Sequence, residues 1–177
     1  RAPWQWRRVA RHQKTYTQNA VGTHDHGTAA PTGPRADDDA RTLTDTGNRL
    51  MKQIGRALAK RFPKAEVIDS SPLIRCVETA EWVEKAYGSS IVVKTYDALA
   101  PDAGVDDFRA LIDGSEARRI ICVGHEPNLS KTMLAVTKMS SDGAIELKKG
   151  GCYGIRMFGD GSAQLEWMLP PRVLRRK

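Results

Sequence analysis

The chain has 177 residues, with 28 Lys and Arg against 21 Asp and Glu and a hydrophobic fraction of 40%. That is one globular domain, able to bury roughly 70% of the surface its unfolded chain exposes. Its longest clean apolar runs, residues 120–123 and 133–136, fall far short of the roughly 20 residues that cross a bilayer, which excludes a chain built on membrane-spanning helices. Three cysteines, Cys76, Cys122 and Cys152, are far apart and odd in number. They fit neither a disulfide framework nor a zinc ligand set and point to a reducing, cytoplasmic compartment.

The net charge of +7 raises nucleic-acid binding as a hypothesis. Residues 1–42 carry 7 basic and 4 acidic groups, residues 172–177 carry 4 basic and none acidic, and the stretch between them is balanced at 17 of each. The excess lies at the two ends and not in a stripe across the folded body, so nucleic acid is not an expected partner. Residues 1–36 form a poorly defined segment rich in Arg, Thr, Gly, Ala and Pro, and residues 172–177 form a basic tail. The stretch up to His24 has several Arg and no acid, a composition that resembles an organellar targeting segment. Residues 37–171 form the domain.

From Leu43 the pattern sharpens. Thr44 is a candidate helix N-cap, and Leu50, Ile54, Ala57 and Leu58 recur at helical spacing until Phe62-Pro63 ends the run. Val67 and Ile68 make a short strand. Ser71-Pro72 reads as a cap followed by proline at the first helical position, opening a helix that runs to Gly88. A second short strand is expected at 91–93 and a helix at 105–112. Arg119, Ile120, Ile121, Cys122, Val123 and Gly124 form a near-continuous apolar strand, the mark of one buried on both faces. A helix follows over 127–139, then strands at 145–147, 153–158 and 164–168, the last two joined by a turn at Gly159-Asp160-Gly161. Strands alternating with helices predict an α/β fold of three layers, a mainly parallel central sheet flanked by helices. In such sheets, ligands sit beyond the carboxyl ends of the strands.

Two strand-to-helix junctions carry reactive groups. After Asp69 comes Ser70-Ser71-Pro72-Leu73-Ile74-Arg75, which sets a guanidinium on the first helical turn, where the amides already favour anions. The bland alternative is a surface Arg75 paired with Glu78 or Glu81. After Val123 comes Gly124-His125-Glu126-Pro127, which sets an imidazole at a strand's carboxyl end, able to donate to a phosphoryl oxygen or exchange protons. Cys76 and Cys122 read as small core residues and Trp82 as core packing. Asp37-Asp38-Asp39 reads as a solvated loop, because three adjacent carboxylates cannot all converge on one cation.

Taken together, Leu43-Thr44-Asp45-Thr46-Gly47, Ser70-Ser71-Pro72-Leu73-Ile74-Arg75-Cys76-Val77-Glu78-Thr79-Ala80 and Val123-Gly124-His125-Glu126-Pro127 resemble the histidine phosphatase superfamily, with the spacing of its small SixA-like phosphohistidine phosphatase branch. The resemblance covers about residues 37–171. It implies a phosphoglycerate mutase-like fold and a metal-independent phosphatase that uses no cofactor. A histidine from a first-strand Arg-His-Gly motif attacks phosphorus, and two arginines and a second histidine surround the phosphate. Arg75 matches the second arginine and His125 the second histidine. The implied substrate is phosphohistidine on a protein or a small phosphorylated metabolite; oligomeric state is left open.

The first-strand motif departs from the family's pattern. Arg11-His12-Gln13 supplies an arginine and a histidine, with Gln in place of Gly and Arg7-Arg8 where a central strand should be apolar. His26-Gly27 stands at the better separation from Leu43, but Asp25 replaces the arginine and residues 17–23 are polar. The reading takes His12 as the nucleophile with Arg11 clamping the phosphoryl group, and keeps His26 as the alternative. If neither enters the pocket, the expectation becomes a catalytically impaired phosphate-binding module of the same fold.

Overall fold

A computed structural model of the chain describes residues 14–20 by their backbone and residues 40–88, 91–140, 145 and 147–175. In order these form β1 (Lys14–Ala20), α1 (Asp45–Arg61), β2 (Val67–Ser70), α2 (Ile74–Tyr87), β3 (Val93–Thr95), a 3₁₀ turn (Asp97–Leu99), α3 (Val105–Gly114), β4 (Arg119–Gly124), α4 (Asn128–Thr137), β5 (Cys152–Met157), β6 (Ala163–Leu169) and α5 (Pro171–Leu174).

One sheet of six strands has the order β3-β2-β4-β1-β5-β6. β3, β2, β4 and β1 pair in parallel, while β5 is antiparallel to β1 and to β6. β4 shows why the sheet needs a continuous apolar run at its centre. Ile121 and Val123 point into the core under α1, α2 and α5, with Met51, Ile54, Leu58, Ile68 and Leu174. Ile120 and Cys122 point the other way, into a second core with Phe108, Ile112, Leu129 and Met133 of α3 and α4. A strand buried on both faces has no polar side to alternate. This is the expected three-layer arrangement.

Thr44 caps α1 as expected, its Oγ1 accepting from Gly47 N at 3.1 Å. Three expectations differ from the structure. The sequence offers at best a degenerate first strand in the poorly defined segment 1–36, placed ahead of Arg11, whereas β1, with the sequence KTYTQNA, lies inside the sheet with backbone partners on both sides. Here two-sided main-chain pairing outweighs side-chain propensity. The helix expected from Ser71-Pro72 begins only at Ile74, with Leu73 at its N-cap. No strand forms at Ile145 or Leu147, though Leu147 is buried. Leu174 in α5 is 2% exposed and packs into the core.

Candidate active site

β2 and β4 are neighbours, and they end together: Ser71 N donates to Val123 O at 2.8 Å just beyond the last residue of β2. The chain turns sharply after β4, and Gly124 is suited to that position. A Cβ there would lie 3.1 Å from Leu129 Cδ2 and 3.3 Å from Leu99 O, tighter than side-chain carbons normally pack. His125 follows, its carbonyl accepting from Leu129 N at 2.8 Å as α4 opens. The start of α4 is tied on two sides. Asn128 Nδ2 donates to Ala100 O at 2.7 Å, and Tyr153 OH donates from β5 to Leu129 O at 2.8 Å. The imidazole is therefore carried on backbone anchored to three separate parts of the fold.

Arg75 comes from the first turn of α2, and its carbonyl accepts from Thr79 Oγ1 at 2.8 Å. Arg75 and His125 are both 0% exposed. Arg75 Nη2 lies 3.4 Å from His125 Nδ1. A guanidinium has only donors, so a hydrogen bond in this contact takes Nδ1 as its acceptor, the tautomer with the ring proton on Nε2. Nε2 faces Cys76 Sγ at 3.0 Å and Ser71 Oγ at 3.2 Å. The surface pairing of Arg75 with Glu78 or Glu81 does not form. Glu78 Oε2 accepts from Leu43 N at 2.5 Å, and Glu81 sits 3.7 Å from Lys85 Nζ.

The arrangement can neutralise a tetrahedral anion. A buried guanidinium presents its fork at the N-terminal turn of α2, where the helix amides add positive potential. A phosphoryl oxygen entering between Arg75 and His125 would accept from the guanidinium fork. Burial pushes the Cys76 thiol up to about 12, against the opposing pull of the Arg75 charge and the Ser71 hydroxyl. Cys76 therefore stands beside the imidazole as a neutral S–H. Among the described residues no three His, Cys, Asp or Glu side chains are grouped so as to hold a metal ion, and no helix is long and apolar enough to cross a membrane.

The sequence-predicted Arg75 and His125 are thus in direct contact. Arg11, His12, His26 and the carboxylates of Asp37-Asp38-Asp39 lie outside the described residues. Two residues took bland readings from sequence and belong to the site. Ser71 read as a helix cap and Cys76 as inert core, yet both touch the ring of His125.

A sequence profile of the histidine phosphatase superfamily (branch 1) matches residues 26–100, taking in the α2 motif. An uncharacterized protein of Picosynechococcus sp. is 30% identical over 144 residues, which make up 80% of this chain and 85% of that protein. The chain belongs to the histidine phosphatase superfamily. Its activity is accordingly that of a phosphatase. Among solved structures it is similar to the protein histidine phosphatase SixA complexed with tungstate, with a TM-score of 0.76 at 17% identity over 92% of this chain and 99% of that one. It is also similar to a phosphoserine phosphatase variant of Entamoeba histolytica in complex with phosphoserine, with a TM-score of 0.64 at 14% identity over 90% and 98% of the two chains. A phosphoglycerate mutase of Plasmodium falciparum aligns with a TM-score of 0.59 at 16% identity over 87% and 90%. At such identities the likeness is one of fold, the phosphoglycerate mutase-like α/β fold expected from the sequence.

Proposed function

We propose that this superfamily member hydrolyses a phosphoryl group from phosphohistidine on a protein, or from a small phosphorylated compound, through a covalent phosphohistidine. The observation that carries the reading is the buried meeting of Arg75 with His125 at the carboxyl edge of the sheet. In this scheme a ring nitrogen of the attacking histidine bonds to phosphorus as the substrate's P–N or P–O bond breaks, and the leaving group departs with a proton. Water then cleaves the new P–N bond, releasing inorganic phosphate and restoring the histidine. Arg75 and His125 stabilise the charge on the equatorial oxygens through both steps. A SixA structure that binds tungstate, itself a tetrahedral oxyanion, is consistent with such a pocket.

The direction of β1 bears on which histidine attacks. Its residue Ala20 is paired with Gly124, one position before His125, and Thr15 is paired with Arg119 at the opposite end. The chain that leaves β1 does so at the edge where His125 emerges. His26 follows β1, and the superfamily match begins at His26, whereas Arg11 and His12 precede Lys14. These two facts favour His26 over His12 as the nucleophile in our reading, and they leave the arginine of the first-strand motif without a match, since Asp25 stands there. Short connections support a protein-borne substrate. Residues 71–73 join β2 to α2 and residues 125–127 join β4 to α4, so neither adds a lid at this edge.

The test is chemical. The chain is incubated with a radiolabelled phosphoryl donor at mildly acidic pH and quenched; an acid-labile, base-stable adduct is expected. His26→Ala should abolish it and His12→Ala should leave it. The reverse pattern would return the role to His12. No adduct in the unaltered chain, with phosphate binding that still depends on Arg75, would establish the impaired phosphate-binding module.

A further inference from the structure

The mechanism assigns work to one side of His125, the Nδ1 side that faces Arg75. The other side of the ring is also built. Cys76 follows Arg75 directly on α2, so one helical turn delivers the guanidinium to Nδ1 at 3.4 Å and the thiol to Nε2 at 3.0 Å. Ser71, from the junction just ahead of that helix, meets Nε2 at 3.2 Å. The imidazole is held between two successive side chains of α2, and Cys76 itself is 0% exposed.

We infer that Cys76 is a positioning residue of the phosphatase site: its sulfur, with Ser71 Oγ, holds His125 by Nε2 and so keeps Nδ1 turned toward Arg75 and the phosphoryl group. The inference rests on the phosphatase reading for its kinetic consequence and on geometry alone for its structural one. A half turn of the ring about Cβ–Cγ would carry Cδ2 to the place of Nδ1 and Cε1 to the place of Nε2, and the nitrogen contacts on both sides would be lost together. Arg75 grips one nitrogen only, at 3.4 Å. The second hold on the ring is on the far side, at Nε2. A hydroxyl accepts well from Nε2–H, and a large, soft sulfur 3.0 Å from Nε2 fills the space into which the ring would otherwise turn. A group that fixes the tautomer and orientation of a reacting histidine through its second nitrogen is a general device of imidazole chemistry.

The thiol suits this role and no nucleophilic one. Kept neutral by burial, it neither competes with His125 for the proton nor attacks phosphorus. Alanine would retain the helix and remove the sulfur, leaving Ser71 as the only one of the two contacts. Serine would restore a polar atom on a shorter bond.

The experiment compares the unaltered chain with Cys76→Ala and Cys76→Ser, using p-nitrophenyl phosphate turnover across pH and ¹⁵N spectra of the His125 ring. The expected result for Cys76→Ala is a kcat reduced by about 10²-fold, the scale of an ångström-sized misplacement of a reacting group. KM should change little, the pH profile should be displaced, and the ring should show a mixture of tautomers in place of the single Nε2–H form. Cys76→Ser should recover part of kcat and most of the single tautomer. A Cys76→Ala protein with unchanged kcat and an unchanged tautomer overturns the inference. If Cys76→Ala does not fold, Cys76→Val decides, since it keeps a side chain of similar bulk and removes the sulfur: a ring identical to that of the unaltered chain in both line position and pH response there would show that the sulfur does nothing. If the unaltered chain turns over no phosphoester, the phosphatase reading fails by itself. The spectra still decide whether Cys76 orients His125.

Discussion

Glu78 Oε2 accepts a hydrogen bond from the backbone N of Leu43 at 2.5 Å, tying the approach to α1 onto the outer turn of α2. Leu43 is 6% exposed and part of the core beneath these helices, so its amide needs a partner inside the protein. The contact also holds Leu43 close to the helix that bears Arg75.

Breaking that contact should cost stability and leave the site chemistry unaltered. Glu78→Ala leaves the Leu43 amide unsatisfied and is expected to lower the unfolding free energy by about 1–3 kcal/mol. Glu78→Gln, which keeps an acceptor, should recover about half of that. Urea unfolding at constant m-value measures both.

The guanidinium of Arg75 should not be replaceable by an ammonium. Arg75→Lys keeps the charge but loses the planar fork that spans His125 and a phosphoryl oxygen. Competitive inhibition by inorganic phosphate should weaken by about tenfold or more, the scale of losing one charge-assisted bond. Unchanged phosphate affinity would refute the clamp. His125→Ala should lower kcat/KM by about 10²–10³-fold, as removal of one transition-state donor does, with the far-UV circular dichroism preserved.

Asp69 predicts a pH dependence of stability. It is 2% exposed on β2, and burial raises its pKa from 3.8 to about 6 against the opposing charge of Lys94. Between those two values the folded chain holds a proton that the unfolded chain has released, so this residue's contribution falls as pH rises from about 4 to about 6 and stays low above that. Removing the carboxylate reverses the loss. Asp69→Asn should stabilise at pH 7.5 relative to pH 4 by on the order of 2–3 kcal/mol. Thermal melts at the two pH values test it; equal shifts at both would count against a buried proton on Asp69.

Gly154 marks a place where β5 admits no side chain. A Cβ there would fall 2.3 Å from Trp167 Cε2 on β6, and that indole is stacked on Phe62 of the α1 C-cap with centroids 4.4 Å apart and planes 12° from parallel. The pairing of β5 and β6 shifts register between Gly154 and Ile155, beside the indole. Gly154→Ala should destabilise by about 1–3 kcal/mol through overpacking and change tryptophan fluorescence as the stack separates.

The parts of the fold that follow hydrophobic period were legible before any coordinates. Leu50, Ile54 and Leu58 marked α1, and the run through Val123 marked the central strand that delivers His125. The site's two long-range members were legible for a different reason: position at a strand's carboxyl end makes Arg75 and His125 candidates even without a partner in sight. β1 escaped because Thr15, Thr17, Gln18 and Asn19 show neither an apolar run nor an alternation, and what holds that strand is backbone pairing to residues 104 to 143 positions away. Cys76 escaped for a related reason. A cysteine on an apolar helix face looks the same in sequence whether its neighbour is a leucine or an imidazole from another strand.

β1 stands between β4 and β5, which do not pair with each other, and so works as a keystone joining β3-β2-β4 to β5-β6. During synthesis this strand leaves the ribosome before all of its partners, and its second edge is covered only after Met157 has been made. The β3-β2-β4 part of the sheet can assemble early, while the whole sheet must wait for its last hairpin, an order that favours slow, late closure around a strand held in reserve.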